Sequence, residues 1–437
     1  MDYTIKCPIE VLIGLAQKYA DEEGTCLLYS GSSFDSASQT LLFLFPYQSM
    51  TISCHSKDTW DTIQESLGAL NSSNNRPEWC GYITYEMGTS SQSHSHIPLI
   101  EPTIPLAYFQ KCALTLRWKN GTLEIFGIEE HLEIDQKNEI DFLMKGQIYP
   151  VKDGLSSTVN SIVKPLESIN CYKKKVLAIQ EEILCGNVYQ VNLSQQCVLK
   201  GTFDPFYTFL QIIKTNPAPF CVYFKTPNAT IVSSSPERLL KKTGSILETR
   251  PIKGTAPRGK NSAEDENQLS RLKNSIKDKA ELLMITDLMR NDLSQVSIAG
   301  TVNTKELWRI ETYTNVFHML SIIQSTARSH YHPLEIIKKI FPGGSITGCP
   351  KLKAIEFIHQ LEQRSRGVYT GSIGYFCANG DFDFNIAIRT LVFQDDLVDI
   401  QIGGAIVCDS NPELEYQETL HKGQTLFKVL NHDLCVL

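Results

Sequence analysis

The chain contains 437 residues, of which 42% are hydrophobic and 20% are charged, and its formal net charge is −7 at pH 7. These values are typical of a soluble globular chain with one or two large cores, and the charged residues are not gathered into an acidic or basic tail. We therefore expect neither nucleic acid nor a membrane surface as a partner, and a small molecule as substrate.

The cysteines and the N-terminus indicate where the protein works. Thirteen cysteines are scattered along the chain, without a CxxC pair or a His/Cys cluster at zinc spacing, which argues against a disulfide framework and a structural zinc. The chain opens with Asp2 and a short helical pattern instead of the basic and apolar segments of a signal peptide. No apolar run reaches the length of a membrane span. The sequence thus predicts a cytoplasmic protein.

The first part of the chain alternates short β-like runs with turns, followed by a connector at residues 146–168. A loop-like stretch rich in Ser, His and Pro extends from residue 89 to residue 105. From Asn170 onward, longer helical patterns are separated by glycine-rich turns. We therefore predict an N-terminal lobe over residues 1–150 and a second region over residues 165–437. The β-like runs are CLLYS, LLFLF, GYITYE, CALTLRW and TLEIFGI.

A helix and a polar strand face begin the second region. The apolar period predicts a helix over residues 171–184, with Gly186 as a stop signal. The segment VYQVNLSQ then alternates, which places Gln190, Asn192 and Ser194 on one face of a strand. That face is polar and uncharged.

Two acidic residues three positions apart, Asp278 and Glu281, lie on the next strongly periodic segment. Apolar residues surround AELLMITDLMRND (280–292) on almost every side, which predicts burial of this helix between layers. Glu281 and Asp287 lie within that run. Buried carboxylates need charged partners or a metal ion.

The segment FPGGSITGCPKLKAIEFIHQL (341–361) predicts a glycine loop that runs into a helix, with Pro350 suited to its first turn. Backbone amides at such a junction favour an anion. After Gly348 come Cys349 and Pro350 where a phosphate loop needs Gly-Lys-Ser/Thr, so a carboxylate is the better ligand. A plain helix-capping loop is the alternative.

Three antiparallel strands are predicted near the C-terminus, joined first by a hairpin turn at Asn379-Gly380. The strand at 381–393 places Arg389 in its middle, and the strand at 398–407 carries the Gly403-Gly404 pair. Missing side chains at that pair allow a ligand to approach the backbone. The alternative is an arginine paired with an acid of a neighbouring strand.

A last helix, capped at Asn411, repeats the acidic arrangement with Glu415 and Glu418. Three residues make nearly one helical turn, so each acid pair projects from one side of its helix. If the two helices face each other, the four carboxylates converge and suit Mg²⁺. The alternative is two solvated helix faces, because Lys422 lies four residues after Glu418, as in an ordinary surface ion pair.

Taken together, these motifs resemble the chorismate-utilising enzymes, a family that includes anthranilate synthase component I, aminodeoxychorismate synthase component I, and isochorismate and salicylate synthases. The resemblance implies an α+β fold in which two antiparallel β-sheets pack together with helices on the outside and a site in the cleft between them. The motifs occur in the family order: VYQVNLS (188–194), SPERLL (235–240), RPIKGTAPRG (250–259), DKAELLMITDLMRNDL (278–293), YTNVFHMLS (313–321), FPGGSITGCPK (341–351), RGVYTGSIGY (366–375), FNIAIRT (384–390) and GGAIVCDSNPELEYQET (403–419).

Two positions favour the aminodeoxychorismate synthase branch of the family. Gln190 stands where the water-using relatives carry a lysine general base, and glutamine cannot abstract a proton at neutral pH. Lys253 stands in PIKGT where anthranilate synthases have alanine, and a desolvated lysine next to another cation is a nucleophile. Without the resemblance, an exposed lysine on a turn between Arg250 and Arg258 is the simpler interpretation.

The resemblance implies a role for each site residue. Glu281 and Glu418 hold Mg²⁺ directly, and Asp278 and Glu415 assist through water. Lys253 attacks the ring. The remaining members of the site are His318 and Thr347 in the catalytic pocket, and Tyr369, Arg389, Gly403, Gly404 and Lys422 at the carboxylates of the substrate.

The function implied by the resemblance is amination of chorismate at C4 to give 4-amino-4-deoxychorismate, with ammonia from a glutamine amidotransferase partner. One alternative is anthranilate synthase component I, and another is a subunit without catalysis that binds an amino acid. CLLYSGSS (26–33) lies where some relatives bind tryptophan. The chain departs from the family pattern at His421, Gly423 and Cys349.

Overall fold

The computed structural model describes residues 1–30, 39–56, 58–91, 100, 102–313 and 315–432, with the backbone alone at 89–91. Much of the predicted loop at 89–105 and the last three residues of CLLYSGSS lie outside these ranges. The described strands are β1 Asp2–Lys6, β2 Cys26–Tyr29, β3 Thr40–Ile52, β4 Pro77–Ile83, β5 Ala107–Lys119, β6 Thr122–Gly127, β7 Thr158–Lys164, β8 Gln190–Thr202, β9 Phe220–Lys225, β10 Thr230–Ser235, β11 Arg238–Thr243, β12 Ile246–Arg250, β13 Ile252–Pro257, β14 Asn303–Thr312, β15 Val316–Thr326, β16 Gly348–Cys349, β17 Ser372–Cys377, β18 Phe382–Asn385, β19 Thr390–Gln394 and β20 Leu397–Ile406.

The described α-helices lie between and after these strands. They are α1 Glu10–Lys18, α2 Thr59–Leu67, α3 Glu86–Ser91, α4 Ile134–Met144, α5 Ile169–Leu184, α6 Pro205–Thr215, α7 Ser262–Asn274, α8 Ile276–Ser294, α9 Pro333–Ile340, α10 Lys351–Glu362 and α11 Pro412–Val429. None of them combines the length and the apolar character needed to cross a membrane.

The strands pair antiparallel throughout the described residues and form one continuous hydrogen-bonded network. Strand β2 pairs with β9, and β4 pairs with β17, so the predicted N-terminal lobe and the second region contribute to the same network. Antiparallel strands with helices packed against them make an α+β fold, and this confirms the predicted fold class.

Strands β8 and β20 carry the predicted site. They pair over a long register, from Lys200 opposite Leu397 to Val191 opposite Ile406. Helices α5, α10 and α11 pack beside them, and the ring of Tyr172 on α5 meets the ring of Tyr416 on α11 at 5.6 Å between centroids. The predicted polar face of β8 is therefore held between a second strand and a layer of helices.

Local sequence signals account for several element boundaries. The helix predicted at 171–184 is α5, which Ser168 caps by accepting a hydrogen bond from the Cys171 N–H. The predicted hairpin at Asn379-Gly380 joins β17 to β18, with Gly380 at a φ of +80°. Both predictions are confirmed.

The strand predicted over 381–393 is interrupted, and placing Arg389 in the middle of a strand is wrong. The chain forms β18 beside β11, leaves the sheet at residues 386–389, and re-enters as β19 beside β10. Arg389 lies in this break with a φ of +51°. The alternating pattern continues through the break, so the sequence alone gives no sign of the change of partner.

Burial of α8 on almost every side is also a wrong prediction. Leu283 is 50% exposed and Ile276 is 85% exposed. Asp287 is exposed as well and pairs with Arg290 at 3.1 Å. The helix therefore has a solvent face and a core face, and Glu281 is half-buried between them.

Candidate active site

The two acid-bearing helices approach each other through a shared lysine. The Nζ atom of Lys277 on α8 lies 3.7 Å from a carboxylate oxygen of Glu281. The charge of the same ammonium group favours the ionised forms of Glu415 and Glu418 on α11: it opposes the raised pKa of Glu415 and adds to the lowered pKa of Glu418. Acids from two distant segments of the chain thus surround one positive charge.

Glu415 and Glu418 differ in protonation tendency because their environments differ. Burial raises the pKa of Glu415, whose carboxylate accepts a hydrogen bond from Ser410 Oγ at 2.7 Å. Burial also disfavours the charged form of Glu418, but the cations of Lys422 and Lys253 outweigh it, so the pKa of Glu418 lies below its usual value. Lys422 lies 2.7 Å from Glu418, which is the ion pair that their spacing indicated.

The donor set fits a hard divalent cation. Glu281, Glu415 and Glu418 supply carboxylate oxygens, and all three interact with the ammonium group of Lys277. Within the described part of the chain, no three His, Cys, Asp or Glu side chains are grouped closely enough to hold a metal ion. Lys277 and Lys422 form ion pairs with Glu281 and Glu418, at 3.7 and 2.7 Å. The metal-binding role of these acids stays a prediction.

Lys253 lies among these acids, within strand β13 and half-buried, so it is not an exposed lysine on a turn. Burial lowers its pKa, and the nearby cation of Lys422 lowers it further. The carboxylates of Glu281, Glu237 and Glu418 oppose this shift only in part. A larger fraction of Lys253 is therefore a neutral amine than for a lysine in water.

The neighbours of Lys253 in sequence explain how it reaches α8. Gly254 has a φ of +79°, and a Cβ built there lies 3.0 Å from the Cβ and Cγ atoms of Asp278. Only glycine allows the strand to pass Asp278 at this distance. Arg250 and Arg258 face other partners, since they pair with Glu248 and Asp265 at 2.7 Å.

Glu237 is a site residue that the sequence reasoning missed. Its side chain is only 6% exposed, and burial raises its pKa, while Ser345, Lys253 and the backbone N–H of Ile252 lower it in part. A buried carboxyl with a raised pKa beside an amine is a candidate proton donor. Its motif, SPERLL, was part of the resemblance, but no local sequence pattern indicates that this glutamate interacts with Lys253.

His318 and Arg389 form the other side of the site. Burial and the charge of Arg389 lower the pKa of His318 to about 3, so the imidazole is neutral at physiological pH. Its Nδ1 lies 2.9 Å from Oγ1 of Thr255, two residues after Lys253. Burial lowers the pKa of Arg389, and among the described residues its guanidinium has no acidic partner.

Tyr369 and the glycine pair lie next to each other, as the sequence predicted for a carboxylate site. A Cβ at Gly403 would lie 2.7 Å from the Tyr369 hydroxyl, so glycine is required for this close approach. Lys422 Nζ lies 3.4 Å from the Gly403 carbonyl oxygen. A Cβ at Gly404 would lie 3.6 Å from Glu415 and 3.7 Å from Lys422. These residues connect the carboxylate site to the acid cluster.

Thr347 and Gln190 close the site where the glycine loop meets β8. Thr347 is fully buried, its hydroxyl donates to the Gly343 carbonyl at 2.9 Å, and its own carbonyl accepts from the Asn192 N–H at 2.8 Å. The side-chain amides of Gln190 and Asn192 are buried, and in the described structure the Gln190 amide and the Asn192 Nδ2 atom have no hydrogen-bond partner. Buried groups of this kind are ready to bind a polar ligand.

A second cavity lies behind the site. Leu28, Tyr29 and Ser30 of the CLLYSGSS segment contribute to its lining. Pro236 and Ile252 line it as well. The next residue after each of them, Glu237 and Lys253, belongs to the candidate active site, where the two interact with each other. The two sites therefore share the segments around residues 236 and 252.

The site thus combines a half-buried lysine, a carboxyl of raised pKa, an arginine without an acidic partner among the described residues, and two acid-bearing helices, on an antiparallel α+β fold. The family model for chorismate binding enzymes matches residues 24–428. The chain belongs to this family.

Individual proteins that the chain is similar to belong to the same group of enzymes by name. Aminodeoxychorismate synthase component 1 of Escherichia coli K12 is 42% identical over 259 residues, which are 59% of this chain and 57% of that protein. The chain thus spans little more than half the length of the relatives it matches in this way. An anthranilate synthase component I-like protein of Synechocystis is 32% identical over 366 residues, or 80% of this chain and 72% of that protein. The crystal structure of anthranilate synthase component I from Streptococcus pneumoniae has a TM-score of 0.77 at 24% identity, covering 90% of this chain and 92% of that one, and supports the fold.

Proposed function

We propose that this chain is the chorismate-aminating component of an aminodeoxychorismate synthase, which replaces the C4 hydroxyl of chorismate with an amino group. The observation that carries the proposal is the position of Lys253, an amine of lowered pKa between Lys422 and the acids Glu281, Glu237 and Glu418. The similarity to aminodeoxychorismate synthase component 1 of Escherichia coli supports the same reaction.

The enolpyruvyl carboxylate of chorismate would bind at Arg389. A planar guanidinium suits a carboxylate fork, and this one lies in a buried site without an acidic partner among the described residues. Tyr369 and the backbone of Gly403 and Gly404 would complete this end of the site. His318, neutral at physiological pH, would add no further charge beside the arginine.

Lys253 and Glu237 would carry out the chemistry. The neutral amine of Lys253 forms a bond to the ring while the ring double bonds shift and the bond to the C4 hydroxyl breaks. The carboxyl of Glu237 donates the proton with which that hydroxyl leaves as water. Ammonia then forms a bond to C4, the lysine is displaced, and the surplus ammonium proton returns to Glu237. Gln190 cannot activate water, so hydroxylation is disfavoured.

The family resemblance further suggests Mg²⁺ at the acid cluster. Glu281 and Glu418 would hold the ion directly, and Asp278 and Glu415 would assist through water. When bound, Mg²⁺ supplies a Lewis acid that orients the ring carboxylate and favours departure of the hydroxyl. Lys277 and Lys422 would have to give up their ion pairs with Glu281 and Glu418 for this.

We propose that ammonia comes from a separate glutamine amidotransferase, since the relatives are named as component 1 of their enzymes. The product keeps its enolpyruvyl group, so a lyase would be needed to form p-aminobenzoate for folate synthesis.

The twelve described cysteines are free thiols, which agrees with a protein that works in the cytoplasm. The second cavity is a candidate for an amino-acid ligand of the tryptophan type.

The main alternative is anthranilate synthase component I, which the name of the Synechocystis relative favours. A subunit that binds an amino acid without catalysis is a further alternative. Incubation of the pure chain with chorismate, Mg²⁺ and ammonium chloride, followed by mass spectrometry of the products, separates the three. We expect aminodeoxychorismate, whereas anthranilate or unchanged chorismate would support one of the alternatives.

The same assay tests the covalent role of Lys253. We expect Lys253→Ala to lower the rate of amination by at least about 100-fold, because the amine that attacks the ring is lost. Lys260→Ala is the matched control, since Lys260 is an exposed lysine seven residues further along. Equal rates for the two variants would exclude Lys253 as the nucleophile.

A further inference from the structure

Arg366 lies beneath the candidate active site and is 2% exposed. A guanidinium has five N–H donors, and each of them has an acceptor here. The Nε–H donates to Glu362 at 3.0 Å, and one terminal nitrogen donates to the Ile346 carbonyl at 3.0 Å and to Thr370 Oγ1 at 3.4 Å. The other donates to the Asn192 carbonyl and to Glu362, both at 2.7 Å.

Two of the acceptors, the carbonyls of Asn192 and Ile346, belong to segments that are far apart in sequence, and this arginine ties both of them to its own segment. Asn192 is part of the polar face of β8, Ile346 directly precedes Thr347, and Thr370 directly follows Tyr369. One rigid planar group therefore fixes the spacing between three segments of the site.

The charge of Arg366 is balanced by Glu362 within the same network. Burial raises the pKa of Glu362, but Arg366 and Arg364 outweigh it, so the pKa lies below its usual value. The carboxylate also accepts from the Ser194 N–H and the Ser194 hydroxyl, both at 2.8 Å. The ion pair thus holds β8 at both Asn192 and Ser194.

The network continues to the substrate side through Tyr369. Its hydroxyl lies 2.7 Å from the position that a Cβ of Gly403 would take, and the Gly403 carbonyl oxygen lies 3.4 Å from Lys422 Nζ. Lys422 in turn lowers the pKa of Lys253. A displacement of Tyr369 would therefore change the position of Gly403 and of the carboxylate site that both residues form.

We infer that Arg366 is a positioning residue for the amination of chorismate, a role that rests on the function proposed above. Its bonds to the Asn192 and Ile346 carbonyls and to Thr370 reinforce the direct Asn192–Thr347 hydrogen bond and hold Asn192, Thr347 and Tyr369 in register. Lysine cannot replace it, because an ammonium group has three donors and no planar fork.

The test compares Arg366→Lys with Arg364→Lys in the full chain. Both keep a positive charge next to Glu362. Arg364 contacts β8 only at the Ser194 hydroxyl, and its other side-chain hydrogen-bond partner is Gln401, whereas the bonds to the Asn192 and Ile346 carbonyls and to Thr370 come from Arg366. For Arg366→Lys we expect a KM for chorismate about tenfold higher and a kcat about tenfold lower, together roughly 100-fold in kcat/KM, as for a misplaced site. The KM for ammonium should be unchanged, and Arg364→Lys should stay within about twofold of the wild type.

A double variant separates positioning from stability. Arg366→Met removes the bidentate partner of Glu362 and leaves this buried carboxylate with only the longer ion pair to Arg364, at 3.5 Å, so the variant should unfold at a lower temperature. Adding Glu362→Gln removes that charge and keeps an oxygen for the Ser194 N–H, so the melting temperature should recover. The KM for chorismate should remain high, because the ties to Asn192, Ile346 and Thr370 are still absent.

Two results would overturn the inference. One is a wild-type KM for chorismate in Arg366→Lys, since loss of folded enzyme lowers the apparent kcat without changing either KM. The other is recovery of both melting temperature and kcat/KM in the double variant. Failure of the proposed function looks different, because the wild-type chain would then form no aminodeoxychorismate. In that case the dissociation constant for chorismate is measured by calorimetry for the same variants. A tenfold higher dissociation constant in Arg366→Lys than in the wild type would still support the positioning role.

Discussion

The reactivity of Lys253 depends on a balance of charges around a single amine. Burial and Lys422 favour its neutral form, while Glu281, Glu237 and Glu418 favour its ammonium form. The net effect is a lowered pKa. In the mechanism proposed above only the neutral amine attacks the ring, so each of these neighbours should affect the rate through the protonation of Lys253.

Replacing Lys422 should therefore shift the pH dependence of the reaction. In Lys422→Gln the cation that lowers the Lys253 pKa is gone, so that pKa rises and a higher pH is needed to form the neutral amine. We expect the acidic limb of the kcat/KM profile to move to higher pH by at least about half a unit, as measured with chorismate and saturating ammonium. Lys260→Gln is the control, and a profile that coincides with the wild type in both variants would contradict the charge coupling.

His318 links the site to the acid stability of the fold. Its pKa falls from 6.5 to about 3 on folding, so between these values the unfolded chain binds a proton that the folded chain does not. Stability from this residue is full above pH 6.5 and is lost as the pH falls toward 3.

We expect His318→Gln to make unfolding less dependent on pH in that window. A single such group contributes a slope of about 1.4 kcal/mol per pH unit, so the urea midpoint of the variant should fall less steeply than that of the wild type between pH 6 and pH 4. His421 is exposed, so His421→Gln should keep the wild-type slope. If the urea midpoint fell equally steeply between pH 6 and pH 4 in all three proteins, His318 would have to bind its proton in the folded state as readily as in the unfolded chain.

Strand β20 shows why two adjacent glycines have different roles. A Cβ at Gly403 would lie 2.7 Å from the Leu193 carbonyl oxygen and from the Tyr369 hydroxyl. A Cβ at Gly404 meets no atom closer than 3.6 Å. The first glycine is needed for packing between β8, β20 and Tyr369, and the second leaves space beside Glu415 and Lys422.

Gly403→Ala should therefore destabilise the fold, while Gly404→Ala should not. Overpacking of this kind costs about 1–3 kcal/mol, and the contact with the rigid Leu193 backbone cannot relax easily. The free energies of unfolding of the two variants, measured in urea, check this difference. Similar values for both would show that β20 moves enough to accept a methyl group at Gly403.

Helical spacing, together with the cap at Asn411 for the last helix, was enough to predict that both acid pairs lie on helices. The pairs Asp278/Glu281 and Glu415/Glu418 occur on α8 and α11, which begin after the caps Ser275 and Asn411. The glycine pair was predicted to let a ligand approach the backbone, whereas at Gly403 the close neighbours are the Leu193 carbonyl oxygen and the Tyr369 hydroxyl of the protein itself. The helices and the glycine pair depend on local sequence, where period and residue type carry the information.

The features that the sequence did not reveal depend on contacts between distant segments. The break at residues 386–389 arises because β18 and β19 pair with different strands, and Glu237 belongs to the site only because strand β13 lies beside it. Arg366 reaches an acceptor at Asn192, 174 residues away. No local pattern distinguishes these residues from ordinary buried polar positions.

The protein as a whole is held together by strand pairs that cross the predicted boundary between the two regions. Strand β2 pairs with β9, and β4 pairs with β17, so neither region can complete its sheet alone. Leu27 on β2 and Ile83 on β4 are fully buried in the shared core. Removing the first region would expose both core residues and strand edges in the second.

We therefore expect residues 165–437 expressed alone to be insoluble or to lack a cooperative unfolding transition, because unpaired edges and exposed core surface favour aggregation. Coexpression with residues 1–164 should restore a soluble complex, since the two fragments can then form the β2–β9 and β4–β17 pairs. Circular dichroism in urea checks the result, with the intact chain as the control. A sharp unfolding transition in the isolated 165–437 fragment would mean that the second region folds independently and that the shared strands only dock onto a finished core.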